Sequence, residues 1–330
     1  MKSRLPWGPM ARMTGRRALF AVPVLLTVTF GVFAVAAASP FDPVKAYAGT
    51  AGLTASQENL DQLRANLGVD QPLPTRWWNW LTSALQGDFG DSTVMRQPVA
   101  DVIAERMGWS VLLAASAFVI AILLGTALGV LAARRPGGWL DRGVSSAAYT
   151  LEAAPAFWLG LLAIWLFALK LDLLPAGGLT DAGSETITFG QVASHLVLPA
   201  AVLGISQLPW FFLYVRQGVM DALAEDPVRG ARARGLSERT VLLGHGLRSG
   251  MLPMLTLIGS RVPELITGAL LIETVFSWPG IAAATVQAAT SVDFSLLAAL
   301  TVLATAAVLL GNLLSDLLYG LADPRVAFDG

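Results

Sequence analysis

The sequence predicts an all-α, polytopic membrane protein with six transmembrane helices and a small extracytoplasmic helical cap between helices 1 and 2. Three observations carry that expectation. Of 330 residues, 55% are hydrophobic and 14% charged, whereas roughly a quarter of a soluble domain is charged. The apolar residues gather into runs of about 20, the length a helix rising ~1.5 Å per residue needs to cross a ~30 Å hydrocarbon core. Finally, arginine and lysine favour alternate connections, which orients the runs. The formal net charge of -1 hides this segregation, and the absence of cysteine excludes disulfides, thiolate nucleophiles and cysteine-ligated metals.

Taken in order, residues 1–17 form a basic tail with Lys2, Arg4, Arg12, Arg16 and Arg17 and no acid. The first span is 18–38. A cleavable signal peptide is the competing reading, but the apolar run is longer than a signal core and further spans follow, so an uncleaved anchor is expected. Residues 39–108 form the cap, in which Leu63, Leu67, Trp77, Trp80, Leu81 and Leu85 recur at helical spacing around a proline-rich turn. Trp77, Trp78 and Trp80 suit a bilayer-interface belt as well as a docking surface for a soluble partner. The stretch QPVADVIAERMG places Val99, Val102, Ile103 and Met107 on one face, which predicts a segment lying along the interface before the second span.

The core, 109–320, begins with the second span at 109–133. The third, 143–169, contains Glu152; the fourth is 196–215; the fifth, 251–272, contains Arg261 and Glu264; the sixth is 294–314. Pro155, Pro199, Pro209 and Pro263 lie inside these runs, where packed membrane helices tolerate proline. Arg134, Arg135 and Arg142 join spans two and three, and Arg216, Arg229, Arg232, Arg234, Arg239 and Arg248 join four and five. Both connections belong in the cytoplasm, as do both termini, including the tail 321–330. The connection after the fifth span, ETVFSWPG, combines Glu273, Phe276, Trp278 and Pro279 in a turn expected at the outer mouth, suited to gating, to contact with an external protein or to anchoring at the interface.

Placing Glu152, Arg261 or Glu264 at mid-membrane costs about 2.5 to 3.5 kcal/mol each on insertion scales, so each should face the bundle interior or a wet cavity. Arg261 and Glu264 can pair along one helix. Glu152 is expected either to line a pathway near Pro155 or to pair across helices with Arg261.

The loop 216–250 has stop-start architecture. Asp226 before Pro227 predicts an N-cap and a first-turn proline, Gly235 a left-handed stop, and Ser237 the cap of a second helix. Glu225 stands four before Arg229, and Arg229 and Arg232 share a face, so the short helix is amphipathic by charge rather than by hydrophobicity. A rigid basic helix of this kind suits a protein groove or anionic membrane lipid. Nucleic acid is not expected, since a larger basic surface and stacking aromatics are missing.

The stretch DALAEDPVRGARARGLSERTVLLGHGLRSGMLPML resembles the cytoplasmic loop of the permease B branch of dipeptide and oligopeptide ABC importers. ETVFSWPGIAAATVQAATSVDFSLLAALTVL, NLLSDLLYGLADPR, LGVDQPL and GDFGDS resemble the same branch, so the likeness covers nearly the whole chain beyond residue 15. It implies the type I importer permease fold and a loop, the EAA signature, whose helix docks in a groove of a cytoplasmic ATPase. Gly235 falls on the signature glycine and Ala231 on its second alanine. Arg229 stands at the glutamate position and Gly230 at the first alanine, departures that resemble the peptide branch. Asp226, Arg232, Arg234, Leu236 and Ser237 complete the matching stretch.

The resemblance further implies a second homologous permease subunit, two ABC ATPase subunits and an extracytoplasmic substrate-binding protein that delivers short peptides. Nickel, glutathione or a haem-like compound is the alternative cargo, and a stand-alone ion-coupled carrier the alternative class. No cofactor is expected on this chain; ATP and Mg belong on the ATPase subunits. Consistent with that division, no GxxxxGK[ST] phosphate loop is present, and Lys2, Lys45 and Lys170 lie in no glycine-rich turn. His195 and His245 stand apart, with no nucleophile–base or metal-ligand pattern around them, so neither catalysis nor metal binding is expected.

Overall fold

The computed structural model describes residues 7–38, 44, 56–66, 70–184, 186–291 and 293–322. Leu67, the 323–330 tail and the side chains of Leu63, His245 and Glu264 lie outside the described residues. Among the described residues the regular elements are helical, apart from the isolated bridge between Asp91 and Pro98. In order they are α1 (Trp7–Ala38), α2 (Gln57–Asn66), α3 (Leu73–Ala84), α4 (Val99–Ala133), α5 (Trp139–Ala153), α6 (Ala156–Ala163), α7 (Phe189–Ala224), α8 (Asp226–Ala233), α9 (Leu252–Val275), α10 (Ile281–Thr290) and α11 (Phe294–Ala322). A return segment links α8 to α9 through a helical turn at Glu238–Thr240, a π-helix at Val241–Gly246 and another turn at Leu247–Gly250.

Four helices, α1 from Arg12, α4, α7 and α11 to Leu314, are long and apolar enough to cross a membrane, and α5 with α6 makes a fifth if that bent pair is one span. The 24 residues of α9 extend ~36 Å, so its length also suffices and the helices are consistent with six spans.

The third span departs from the sequence expectation. It is not one helix: α5 and α6 meet at 105°. The ring of Pro155 disfavours helical backbone at Ala154, which is extended at φ -84°, ψ 130°, and Pro155 itself then opens α6. A π-helix at Ile164–Lys170 follows. Pro199 and Pro209, by contrast, lie inside an unbroken α7 and are buried, while Pro155 is exposed. Packing by neighbouring helices holds the backbone through the first two and is missing at the third.

The chain forms two compact units, and Val111–Trp278 makes up most of the first. Its axis is α7, whose buried face includes Leu203, Phe211, Phe212, Val215 and Val219. Glycines let α4 approach closely: a Cβ on Gly125 would stand 2.6 Å from that of Phe211, and one on Gly129 2.9 Å from that of Val215. Small residues serve this purpose between membrane helices, where close van der Waals packing replaces the hydrophobic effect.

Arg16–Ser110 and Pro279–Leu309 form the second unit. Val99 and Val102 are fully buried there against Ala284, Ala288, Leu296, Ala299 and Leu300. The segment expected to lie along the interface is therefore the start of α4: Val99, Val102 and Ile103 of its apolar stripe pack against α10 and α11, while Met107 stays exposed. Trp77 donates from Nε1 to Thr29 Oγ1 at 3.0 Å and packs edge-on against Phe30, while Trp80 packs against Phe33. These two indoles tie α3 to α1, and Trp78 is left exposed. The buried Asp293 accepts from Ser92 Oγ at 2.6 Å, Val94 N at 3.1 Å and Leu296 N at 3.2 Å, capping α11 while pinning the turn that contains GDFGDS.

Candidate functional site

The residues singled out in the loop 216–250 fold into a seated stub. The cap of α8 is Glu225, extended at φ -71°, ψ 153° and without a side-chain cap bond; Asp226 is the first helical residue rather than the N-cap the sequence suggested. Because Glu225 stands outside the helix, its four-residue spacing to Arg229 brings no pair. Arg229 instead lies 3.6 Å from the exposed Asp226 carboxylate.

The helix is also more apolar on one side than its composition suggested. Val228 and Ala231, three apart, are buried with Val241 and packed by Leu223 and Leu236. Eight residues are too few for such a stripe to register as periodicity. Arg232 donates to both oxygens of Glu238, at 2.9 and 3.2 Å, and to the Leu223 carbonyl at 3.4 Å, so it fastens α8 to the return segment.

The far end closes with a Schellman turn. Gly235 takes the left-handed backbone at φ 81°; its N–H donates to Arg232 O at 2.9 Å, and Leu236 N–H to Ala231 O at 3.3 Å. Ser237 Oγ then accepts from Thr240 N at 3.3 Å and opens the return segment. Asp226, Arg229, Gly230, Arg234 and Arg239 remain exposed, and nothing stands within 4 Å of the position a Gly230 Cβ would take. Chemically this is a rigid knob with cationic side chains and bare backbone on its outer face.

The ETVFSWPG turn is buried rather than displayed. Glu273, Phe276 and Trp278 have 0%, 1% and 0% exposure. Their burial removes the interface-anchor reading of the two aromatics. Trp278 N–H donates to Glu273 O at 2.8 Å, and Gly178 N–H donates to Phe276 O at the same distance, so the loop after the third span lies on this turn. A Cβ on Gly177 would stand 2.3 Å from that carbonyl. Ser277, exposed at φ 49°, forms the tip, and Pro279 is half-buried.

Among the described residues, Glu152 and Arg261 are not brought together. Glu152 ends α5 exposed, with no ion pair among the described residues. Arg261 stacks on Trp210 of α7, its guanidinium carbon 3.6 Å from the ring centroid, so the cross-helix pair with Glu152 is not formed in this conformation.

Sequence reasoning missed a different pair. Asp141, 3% exposed on α5, receives both Nε and Nη2 of Arg216 on α7, the latter at 2.9 Å, together with Gly137 N–H at 2.7 Å. Both residues sit just outside the apolar runs, where Asp141 is surrounded in sequence by arginines and only the sum of positive charge was read. The acid within that basic connection was the available signal.

Residues 125–328 match the family described as binding-protein-dependent transport system inner membrane component, and residues 10–114 match the N-terminal portion of such membrane components. The chain belongs to this family. It is a membrane-integral permease component of an ABC importer, not a catalytic subunit. It is 34% identical to the oligopeptide transport system permease protein AppB of Bacillus subtilis (strain 168), over 97% of this chain and 100% of that protein. It is also 34% identical to the glutathione transport system permease protein GsiC of Escherichia coli (strain K12), over 95% of this chain and 98% of the relative.

Proposed function

We propose that this permease pairs with a second homologous permease to form the pathway for short peptides, which an extracytoplasmic binding protein delivers and two ABC ATPase subunits drive across the inner membrane. The stub built by α8 and its Schellman turn carries the reading. It is fastened on one side by Val228, Ala231 and Arg232, and exposed on the other through Arg229, Gly230 and Arg234. A loop that only satisfied the orientation rule would need arginines but no such support. The arginine asymmetry supports a cytoplasmic position for this stub and both termini, the side on which the proposed ATPases hold ATP and Mg.

The peptide assignment rests on the relatives named for oligopeptide and glutathione transport, glutathione being itself a modified tripeptide. Both cargoes present carboxylates and an amino group on a short flexible chain. In this reading Glu152, exposed beside the break at Pro155, meets the cationic end of such a chain.

Reconstitution of the permease pair, ATPases and binding protein into proteoliposomes tests this function. Uptake of labelled tripeptide that requires both ATP and the binding protein is expected. Uptake driven by an ion gradient without ATP would contradict it, and ATP-driven uptake confined to glutathione or to nickel would reassign the cargo.

A further inference from the structure

Why a charge pair should be buried between α5 and α7 is unexplained by the fold alone, since Leu140, Val144 and Ala148 of α5 already pack against Leu208 and Phe212 of α7. A buried pair often stabilises no more than apolar residues of the same shape; its best-attested use is to fix registry. Here the fixing is thorough. Arg216 presents a bidentate fork that sets angle as well as distance, Gly137 N–H occupies Asp141 Oδ2, and Ser145 Oγ approaches Oδ1 at 3.4 Å. Apolar contacts can slide past one another. This carboxylate cannot move along α7 without stranding a buried charge.

The position of the pair matters as much as its geometry. Arg216 lies in the last turns of α7, just before the stub. Two residues on, a Cβ at Gly218 would stand 2.3 Å from Gly250 O, so the outgoing helix and the return segment touch backbone to backbone at the same level. Three elements are thus clamped together where the loop leaves the helices: α5, the end of α7 and the segment returning to α9. At its other end α5 finishes at Ala153, one residue past Glu152, and meets the 105° break. From Asp141 to the end of α5 at Ala153 the helix makes a lever ~18 Å long between the clamp and the break.

We propose that Asp141 and Arg216 are positioning residues for transport: their ion pair makes α5 travel with the loop-bearing end of α7, so that displacement of the stub reaches the break in the third span. The proposal rests on the reading that the stub receives an ATPase. It adds the route by which that contact reaches the pathway.

The test compares the reconstituted importer carrying Asp141→Asn or Arg216→Lys with the unsubstituted one, measuring tripeptide uptake and ATP hydrolysis on the same vesicles. Asn keeps the shape and can still accept the Gly137 N–H; Lys keeps the charge and loses the fork. Both variants should assemble and hydrolyse ATP while uptake per ATP falls about tenfold, toward the low end of the usual range for coupling between sites. Unchanged uptake per ATP overturns the proposal, whether or not complex yield falls, because a merely structural pair lowers yield and leaves the ratio alone. Variants that give no complex at all mark the pair as structural and overturn it equally. Failure of the stub reading shows separately: ATPase would then co-purify undiminished when Arg229 and Arg234 are reversed in charge, a result independent of the ratio.

Discussion

Gly235 shows how much one backbone angle carries. Its Cβ position is open, so a side chain there meets no neighbour, and the whole penalty of substitution lies in the left-handed φ of 81°. Gly235→Val should cost about 1–2 kcal/mol, whereas Gly235→Asn, which tolerates that region, should cost less. Because the Schellman turn aims Ser237 and the return segment, ATP-driven uptake should rank Gly, Asn, Val; equal uptake by all three would show that the turn does not position the loop. Asp293→Ala removes a helix cap and the tether to Ser92 together, and should lower stability by about 2 kcal/mol, read as an earlier thermal unfolding midpoint in detergent. Glu152→Gln should leave assembly intact and slow tripeptide uptake about tenfold, the loss of roughly 1.5 kcal/mol of charge-assisted contact. Normal uptake would remove Glu152 from the pathway.

At the scale of elements, proline has opposite outcomes in two helices. Pro199 and Pro209 are buried along α7 and leave it continuous, whereas Pro155 is exposed and ends α5. Pro155→Ala should therefore let Ala154 return to helical backbone, and spin labels at Ser146 and Leu161 should move apart as the two helices straighten. An unchanged separation would mean that packing, rather than proline, sets the bend. The same contrast explains what was legible beforehand. Apolar runs gave the helices, and Gly235 and Ser237 gave the loop its joints, because these depend on local chemistry. The break at Pro155, the apolar seat of Val228 and Ala231, and the pairing of Asp141 with Arg216 depend on which surfaces meet across dozens of residues. An eight-residue helix carries too little periodicity to announce its seat, and an Asp in a basic connection signals a pair without naming its partner.

For the whole molecule, the topology proposed from the positive-charge asymmetry has α8 and Ser277 on opposite sides of the membrane. Cysteine at Ser277, exposed at the tip of its turn, should react with an impermeant thiol reagent added outside intact cells, and labelling confined to the inner side would invert the topology. Co-purification in detergent shows whether the stub joins this permease to its proposed ATPases. Arg229 and Arg234 are the pair to reverse, since both are exposed, whereas Arg232 is bound to Glu238 and its loss would disturb the stub itself. With both changed to glutamate, the two permeases should still purify together and the ATPase subunits should be lost; undiminished ATPase in the purified complex would contradict the account.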